Sequence, residues 1–337
     1  MTQNLYYGGA FDSIFGAGGG GLPSFDNVRA TNFPQRAAAL AKEIRANQPD
    51  LIALQEAVIW RTGSVLELGS ASHVEYDFTQ TLLRALGRQR MHYAPVAVAT
   101  NADIAVPGTV DGQFRTIRMT DQDVILARTD LPRSQLTVFN SRSGNFSHSF
   151  KVPVPVLGSV SLTRGWASVD AKVGGQTFRF IDTHLEVFNS RIQQAQAKEL
   201  LQGPANTRLP VILAGDFNAG PVFNSSTYSS FTKAGFQDAW SETNSSEAGL
   251  TCCQDSSLRN PDSQLLARVD LILHRGSGLV AQQAKVVGDS PADRTPSGLW
   301  PSDHAGVVAT LSVNTKAKKT AGPFSQVRVP AIQRAAP

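Results

Sequence analysis

Apolar and polar positions along this chain alternate mostly with the short period of strands, interrupted by a few stretches of helical spacing. Asn32 to Asn47 has the helical pattern, with Ala37, Leu40, Ala41 and Ile44 on one apolar face. Pro34 suits the first turn of that helix and Pro49 ends it. Phe78 to Leu86 and Ser190 to Leu201 read as two further helices. Strands are predicted at 51–56, 91–99, 123–128, 136–139, 165–173, 177–183, 210–215, 268–274 and 304–313, and Met1 to Tyr7 reads as one more. Ala99 to Phe114 and Ser141 to Ser149 read as loops. No repeat with a period of roughly 20 to 50 residues is evident, which argues against solenoids and propellers. After Val313 the chain turns polar and basic and then proline-punctuated, so 1–313 is expected to fold as one domain and 314–337 to form a flexible tail.

Five of the apolar runs carry a chemically active group at one end. Leu51 to Gln55 leads into Glu56, and Phe178 to Ile181 leads into Asp182 and His184. Val211 to Gly215 leads into Asp216 and Asn218. Asp270 stands near the start of its run, and Ser302-Asp303-His304 stands just before Ala305 to Val313. Charge at the end of a buried strand is costly unless something neutralises it. Five such ends therefore point to one shared site, most simply a hard metal ion beside an acid–base pair. Glu56, His184, Asp216 and Asn218 follow their runs, whereas Asp270, Asp303 and His304 precede or open theirs. The start of one strand meets the end of its neighbour only when the two are antiparallel. A common site thus requires mixed or antiparallel sheets. With helices interspersed, two packed sheets flanked by helices are the economical architecture, an α/β sandwich with the site on one edge.

Bulk properties narrow the field only modestly. A chain of 337 residues with 41% hydrophobic and 17% charged residues has a real core. Its net charge of +4 permits a polyanionic partner without demanding one, because the Lys and Arg residues are scattered rather than blocked. No apolar stretch approaches the roughly 18 residues of a membrane span. No charged and then apolar leader is visible at Met1, so the expected location is cytoplasmic, or secreted or periplasmic if an export signal once preceded Met1. Gly16 to Gly21 lacks the Lys-Ser/Thr of a phosphate loop and reads as a flexible excursion. Cys252 and Cys253 are neighbours, and adjacent residues strain an ordinary disulfide. Two reduced thiols in a loop are favoured over a strained vicinal disulfide. Without a Cys or His spaced nearby in sequence, the pair is a poor zinc site.

In order along the chain stand Thr2-Gln3-Asn4, Leu54-Gln55-Glu56, Asp182-Thr183-His184-Leu185, Gly215-Asp216-Phe217-Asn218, Arg268-Val269-Asp270 and Ser302-Asp303-His304. This set resembles the motifs of the endonuclease/exonuclease/phosphatase superfamily, which includes pancreatic-type DNases, abasic-site endonucleases, neutral sphingomyelinases and inositol-polyphosphate 5-phosphatases. The resemblance runs from about Met1 to Val313. It implies a DNase I-like catalytic domain, a four-layer α/β/β/α sandwich of two mixed, mainly antiparallel sheets. It implies Mg²⁺, with Mn²⁺ as a substitute, held by Glu56 with Asn4 as companion amide and Asp303 close by. Asp216 would orient or deprotonate the attacking water and Asn218 would hold a phosphoryl oxygen. His304, paired with Asp270, would stabilise the charge of the transition state, and either His304 or Asp216 would be the formal base.

His184 sits where the DNase and sphingomyelinase branches place a second imidazole, for the leaving oxygen or the phosphate. Asp182, alternating with it on one face, is its candidate orienting carboxylate. Arg164 is a candidate phosphate contact, and Trp300, close before Asp303, a candidate wall of the site mouth. His73, His92, His148 and His274 lack such context and read as structural. The resulting expectation is a monomeric Mg²⁺-dependent phosphoric-ester hydrolase using in-line attack of water without a covalent intermediate. Nucleic acid is favoured as substrate. A sphingomyelinase-like phospholipid phosphodiesterase comes second, its bilayer-entering hairpin then drawn from Lys151 to Leu162, and an inositol-phosphate phosphatase third. A non-catalytic binding scaffold of the same fold is the rival from another class.

Overall fold

The computed structural model describes residues 1–9, 24–66, 71–154 and 158–313. The Gly16–Gly21 run, the tail 314–337 and the tip of the 151–162 segment lie outside them. In chain order the first eight strands are β1 (Thr2–Asn4), β2 (Leu51–Gln55), β3 (Ile59–Gly63), β4 (His73–Asp77), β5 (Tyr93–Val110), β6 (Gln113–Arg128), β7 (Thr137–Asn145) and β8 (Phe150–Val154). Then follow β9 (Gly158–Leu162), β10 (Gly165–Val173), β11 (Gln176–His184), β12 (Val211–Asp216), β13 (Gln237–Asp238), β14 (Asp270–Arg275), β15 (Leu279–Val287) and β16 (Gly306–Val313). The helices are α1 (Asp26–Ala30), α2 (Phe33–Asn47), α3 (Phe78–Arg88), α4 (Ser190–Gln202), α5 (Ser225–Lys233) and α6 (Ala239–Thr243).

One sheet has the order β15-β16-β1-β2-β6-β3-β4, with β5 paired to β6. The other runs β13-β14-β12-β11-β10-β7, and β8 pairs with β9 in a separate hairpin. Period-two alternation divides each strand between two layers. Ile52 and Leu54 face out to Ala37, Leu40, Ile44, Phe78 and Leu82 of α2 and α3. Ala53 and Ile125 face in, against Val169, Phe180, Ile212 and Ile272 of the second sheet. On that sheet's far side Ile181, Leu213 and Leu271 meet Ala197, Leu200 and Phe231 of α4 and α5. Helix, sheet, sheet, helix is the expected sandwich. Local capping fixes the helix starts: Asn32 Oδ1 accepts from Gln35 N (3.3 Å), and Asp77 Oδ1 from Gln80 N (2.9 Å). No helix among the described residues is long and apolar enough to cross a membrane.

Several short elements, β3, β4, β13, α1, α5 and α6, have no counterpart in the sequence reading, and three further departures have a plain cause. Ala99 to Phe114 is no loop but the far half of the long β5–β6 hairpin. Pro95 and Pro107 disguise it, yet apart from an isolated bridge from Ser24 to Thr109 β5 pairs only with β6 among the described residues, and an edge strand tolerates proline. Its turn is Asp111-Gly112, both with positive φ, as a two-residue hairpin turn requires. Ser141 to Ser149 likewise begins as strand, because β7 runs to Asn145 at an exposed sheet edge where polar residues occupy both faces. β15 escaped notice because a register shift between Ala281 and Gln283 interrupts its alternation.

The register delivers the strand ends to one place. β11 and β12 are parallel with His184 opposite Asp216, and β12 and β14 are antiparallel with Asp216 opposite Asp270. β1 lies parallel to β2, with Asn4 opposite Gln55, and antiparallel to β16.

Candidate active site

Asp216 is the hub. Its Oδ2 accepts from Asn4 Nδ2 (3.1 Å) and lies 3.4 Å from His184 Nε2 and 3.9 Å from His304 Nε2. Its Oδ1 accepts from the Asn218 backbone N–H (2.9 Å), folding the Asp216-Phe217-Asn218 turn back on itself. Asn218 takes a positive φ there, and Phe217 packs behind in the apolar layer against Phe231. Gly215 precedes the hub because any Cβ at that position would collide with the Thr183 carbonyl oxygen.

His304 Nδ1 faces Asp270 Oδ2 at 2.8 Å, and both residues are buried. Burial alone would lower this imidazole's pKa, but Asp270, Asp216 and Asp303 together outweigh it and hold His304 well above its ordinary value. His184 shows the reverse. Burial, then Arg164 and His304, hold it well below the ordinary value, so it is neutral at pH 7. Arg164 Nη1 donates to His184 Nδ1 (2.9 Å). A guanidinium has no acceptor, so the imidazole proton stays on Nε2, toward Asp216.

Glu56 and Asp303 form an acidic edge beside this hub. The Tyr7 backbone N–H donates to Glu56 Oε2 (2.8 Å), and Ser302 Oγ donates to the Asn4 carbonyl (2.7 Å), tying the 302–304 turn to β1. Burial first, then Asp303 and Asp121, push Glu56 up to about 8, and burial raises Asp303 as well. Asp303 raises Glu56, and Asp270 raises Asp303 against the opposing pull of His304 and Arg36, so acid is concentrated on this edge, and a divalent cation would neutralise it. The donors on this edge are all oxygen, which suits a hard ion such as Mg²⁺ or Mn²⁺. Asp216, Asp270 and His304 also place ligand atoms within 4.8 Å of one another. These residues open onto a cleft of about 420 Å³, floored by Tyr7, Glu56, Arg164, His184, Asp216, Asn218 and His304. Leu162, Val187, Phe188, Phe223 and Leu266 form its apolar walls.

Asn4, Glu56, Arg164, His184, Asp216, Asn218, Asp270, Asp303 and His304 thus come together. Asp182 and Trp300 do not join them. Asp182 is fully buried between the sheets, where its Oδ1 accepts from Gln55 Nε2 (2.6 Å), so Arg164 rather than Asp182 orients His184. Trp300 is also fully buried, packed with Tyr6, Leu258 and Leu299, and its Nε1 donates to the Asn260 carbonyl (2.8 Å). It does not line the cleft. Cys252 and Cys253 stand as a vicinal disulfide, the second of the two states that the sequence left open, rather than as two reduced thiols.

Two residues went unnoticed in the sequence. Tyr7 ties the acidic edge to Arg164, its OH accepting from Arg164 Nη1 (3.0 Å). Buried Arg36 donates to the carbonyls of Leu5 (2.7 Å), Tyr6 (3.2 Å) and Pro301 (3.1 Å), clamping β1 to the 301–304 turn. A signal for it existed, since Arg36 falls beside the apolar face of α2.

The sequence model of the endonuclease/exonuclease/phosphatase family matches residues 1–304. No curated protein sequence matches the chain significantly. Among solved structures, an endonuclease/exonuclease/phosphatase family protein from Leptotrichia buccalis superposes with a TM-score of 0.57 at 17% identity, covering 82% of this chain and 92% of its own. A mannosyl-6-phosphatase of Bacteroides thetaiotaomicron gives 0.54 at 18% identity, over 92% and 97%. D. rerio TDP2 in complex with a single-strand DNA product gives 0.52 at 19% identity, over 83% and 93%. At such identities the likeness shows the shared fold.

Proposed function

The chain belongs to the endonuclease/exonuclease/phosphatase family, and from that premise we propose that it is a Mg²⁺-dependent phosphodiesterase acting by in-line attack of water. The observation that carries this reading is the convergence of two imidazoles and one amide on Asp216 Oδ2. Glu56, Asn4 and Asp303 would hold the ion, which when bound supplies charge neutralisation at the phosphoryl oxygens.

The protein's own groups divide the remaining work. Asp216, an acceptor in the cleft, orients the attacking water and takes its proton. His304, held as a cation by Asp270, donates to the developing charge. His184 is neutral and keeps its proton on Nε2, so its role is to donate a hydrogen bond to a phosphoryl oxygen rather than to act as a strong acid. Asn218 Nδ2, 3.2 Å from His184 Nε2, borders the same oxygen position. Arg164 is the one Lys or Arg lining the cleft among the described residues. Because Asp121 lies 3.5 Å from its Nη1, it offers hydrogen-bond donors rather than an unbalanced charge, which suits the singly charged phosphodiester better than a dianionic monoester.

Nucleic acid is the first substrate class, supported by the net charge of +4. A phospholipid is the second reading, favoured by the apolar walls, where Phe188 is 52% and Leu266 84% exposed. Plasmid DNA and choline-phospholipid vesicles, each with Mg²⁺ and with EDTA, separate the two. DNA cleavage that needs Mg²⁺ is the expected result, and vesicle hydrolysis in its place moves the assignment to lipid. Parental activity of both Asp216→Ala and His304→Ala on every ester tried would sink the mechanism.

A further inference from the structure

Cys252 and Cys253 stand on the rim of the cleft. The Cys252 backbone bridges Ala267 on one side and His304 on the other, and both cysteines line the cleft wall. Cys253 is exposed and its Sγ lies 3.8 Å from His304 Nε2. The ligand atoms of Cys252, Cys253 and His304 all fall within 4.8 Å of one another. Tetrahedral zinc, with Zn–S about 2.3 Å and Zn–N about 2.0 Å, sets its sulfur and nitrogen ligands roughly 3.6 Å apart. The 3.8 Å from Cys253 Sγ to His304 Nε2 is close to that spacing, so little movement would bring both to one ion.

His304 is already arranged as such a ligand. Asp270 holds Nδ1, which leaves Nε2 directed at the sulfur, the carboxylate–histidine–metal arrangement that fixes tautomer and ring orientation. Sulfur donors select thiophilic ions, whereas the oxygen donors Glu56 and Asp303 select hard ones. A disulfide carries no charge and ligates poorly. Reduced thiolates ligate strongly.

We propose that reduction of the Cys252–Cys253 disulfide creates a site for a thiophilic divalent ion such as Zn²⁺, built from both sulfurs and His304 Nε2, and that the bound ion silences the enzyme by capturing this imidazole. A dithiol reductant supplies the two electrons and two protons. Its own thiols close to a disulfide while the Cys252–Cys253 S–S bond breaks into two thiols. On binding, both thiols and Nε2 of the His304 imidazolium release their protons to solvent, and the two sulfurs and Nε2 then donate lone pairs to the ion. The silencing rests on the role proposed above for His304; the ion site does not.

The test uses the full chain, reduced with dithiothreitol under argon, freed of it by gel filtration and titrated with Co²⁺. Thiolate-bound cobalt gives an intense near-ultraviolet charge-transfer band that oxygen-bound cobalt lacks. The expected result is one such ion per chain, displaced by Zn²⁺, and no band in the oxidised protein or in the Cys252→Ser/Cys253→Ser variant. Zn²⁺ is then expected to inhibit the reduced enzyme at concentrations about tenfold or more below those needed for the double variant. Failure of dithiothreitol to expose two thiols, absence of the band, or an equal band in His304→Ala overturns the site. Equal zinc sensitivity of the reduced and oxidised enzymes overturns the silencing. A cobalt band in a protein that hydrolyses no phosphoester sinks the functional reading and leaves the ion site standing.

Discussion

Asp270→Asn is the sharpest probe of the hub, because it preserves the size of the side chain and an acceptor facing His304 while removing the charge. The pair is buried and 2.8 Å apart, so water cannot replace the lost carboxylate. Breaking a buried, hydrogen-bonded ion pair by neutralising one partner costs about 3–5 kcal/mol. Without the Asp270 charge, His304 rests neutral and its cation must be formed as charge develops on the phosphoryl group, so that cost falls on the transition state. At about 1.36 kcal/mol per tenfold it corresponds to a loss of roughly 10²–10⁴ in kcat. A positioned acid or base contributes over the same range. Steady-state hydrolysis of bis(p-nitrophenyl) phosphate in Mg²⁺, followed alongside thermal unfolding, measures both quantities. We expect kcat to fall by that factor with KM within about threefold, because Asp270 does not touch the substrate. A kcat within about threefold of the parent refutes the reasoning, most clearly if the whole loss appears in stability, since the pair would then be structural.

Glu43 on α2 gives a pH-dependent prediction away from the cleft. Both of its carboxylate oxygens are buried without a hydrogen-bond partner, and burial, then Asp293 and Asp289, push its pKa from 4.5 up to about 8. A raised folded-state pKa means that the stability it contributes is complete below about pH 4.5 and lost as pH climbs toward 8. Glu43→Gln should therefore gain on the parent across that window, by up to roughly 4–5 kcal/mol; an unchanged difference in denaturant midpoint between pH 5 and pH 8 refutes it. Trp300→Phe should lower stability by about 1–3 kcal/mol through the lost bond to Asn260 while leaving KM alone. A raised KM would return the indole to the substrate. EDTA should abolish hydrolysis and Mg²⁺ or Mn²⁺ restore it, and full activity after exhaustive chelation would remove the ion from the mechanism.

The apolar runs Leu51 to Gln55, Phe178 to Ile181 and Val211 to Gly215, each closed by a polar group, were enough to locate Glu56, His184, Asp216 and Asn218 at strand ends. The position of Asp270 at the opposite end of its run required an antiparallel neighbour, and β14 pairs that way with β12. Burial period and strand polarity are local properties, so a single chain displays them openly. Partnership between distant side chains is not local. Arg164, and not the nearby Asp182, orients His184, because the residue just before β10 lines the cleft whereas Asp182 within β11 is buried between the sheets. The disulfide reaches His304 across 51 residues, and Asn4 reaches Asp216 across 212. Which groups the chain carries, and at which strand ends, was its amino-acid order's to determine. Which of them touch was decided by the packing of two sheets, where long-range contacts between backbones choose among partners that no local pattern can rank.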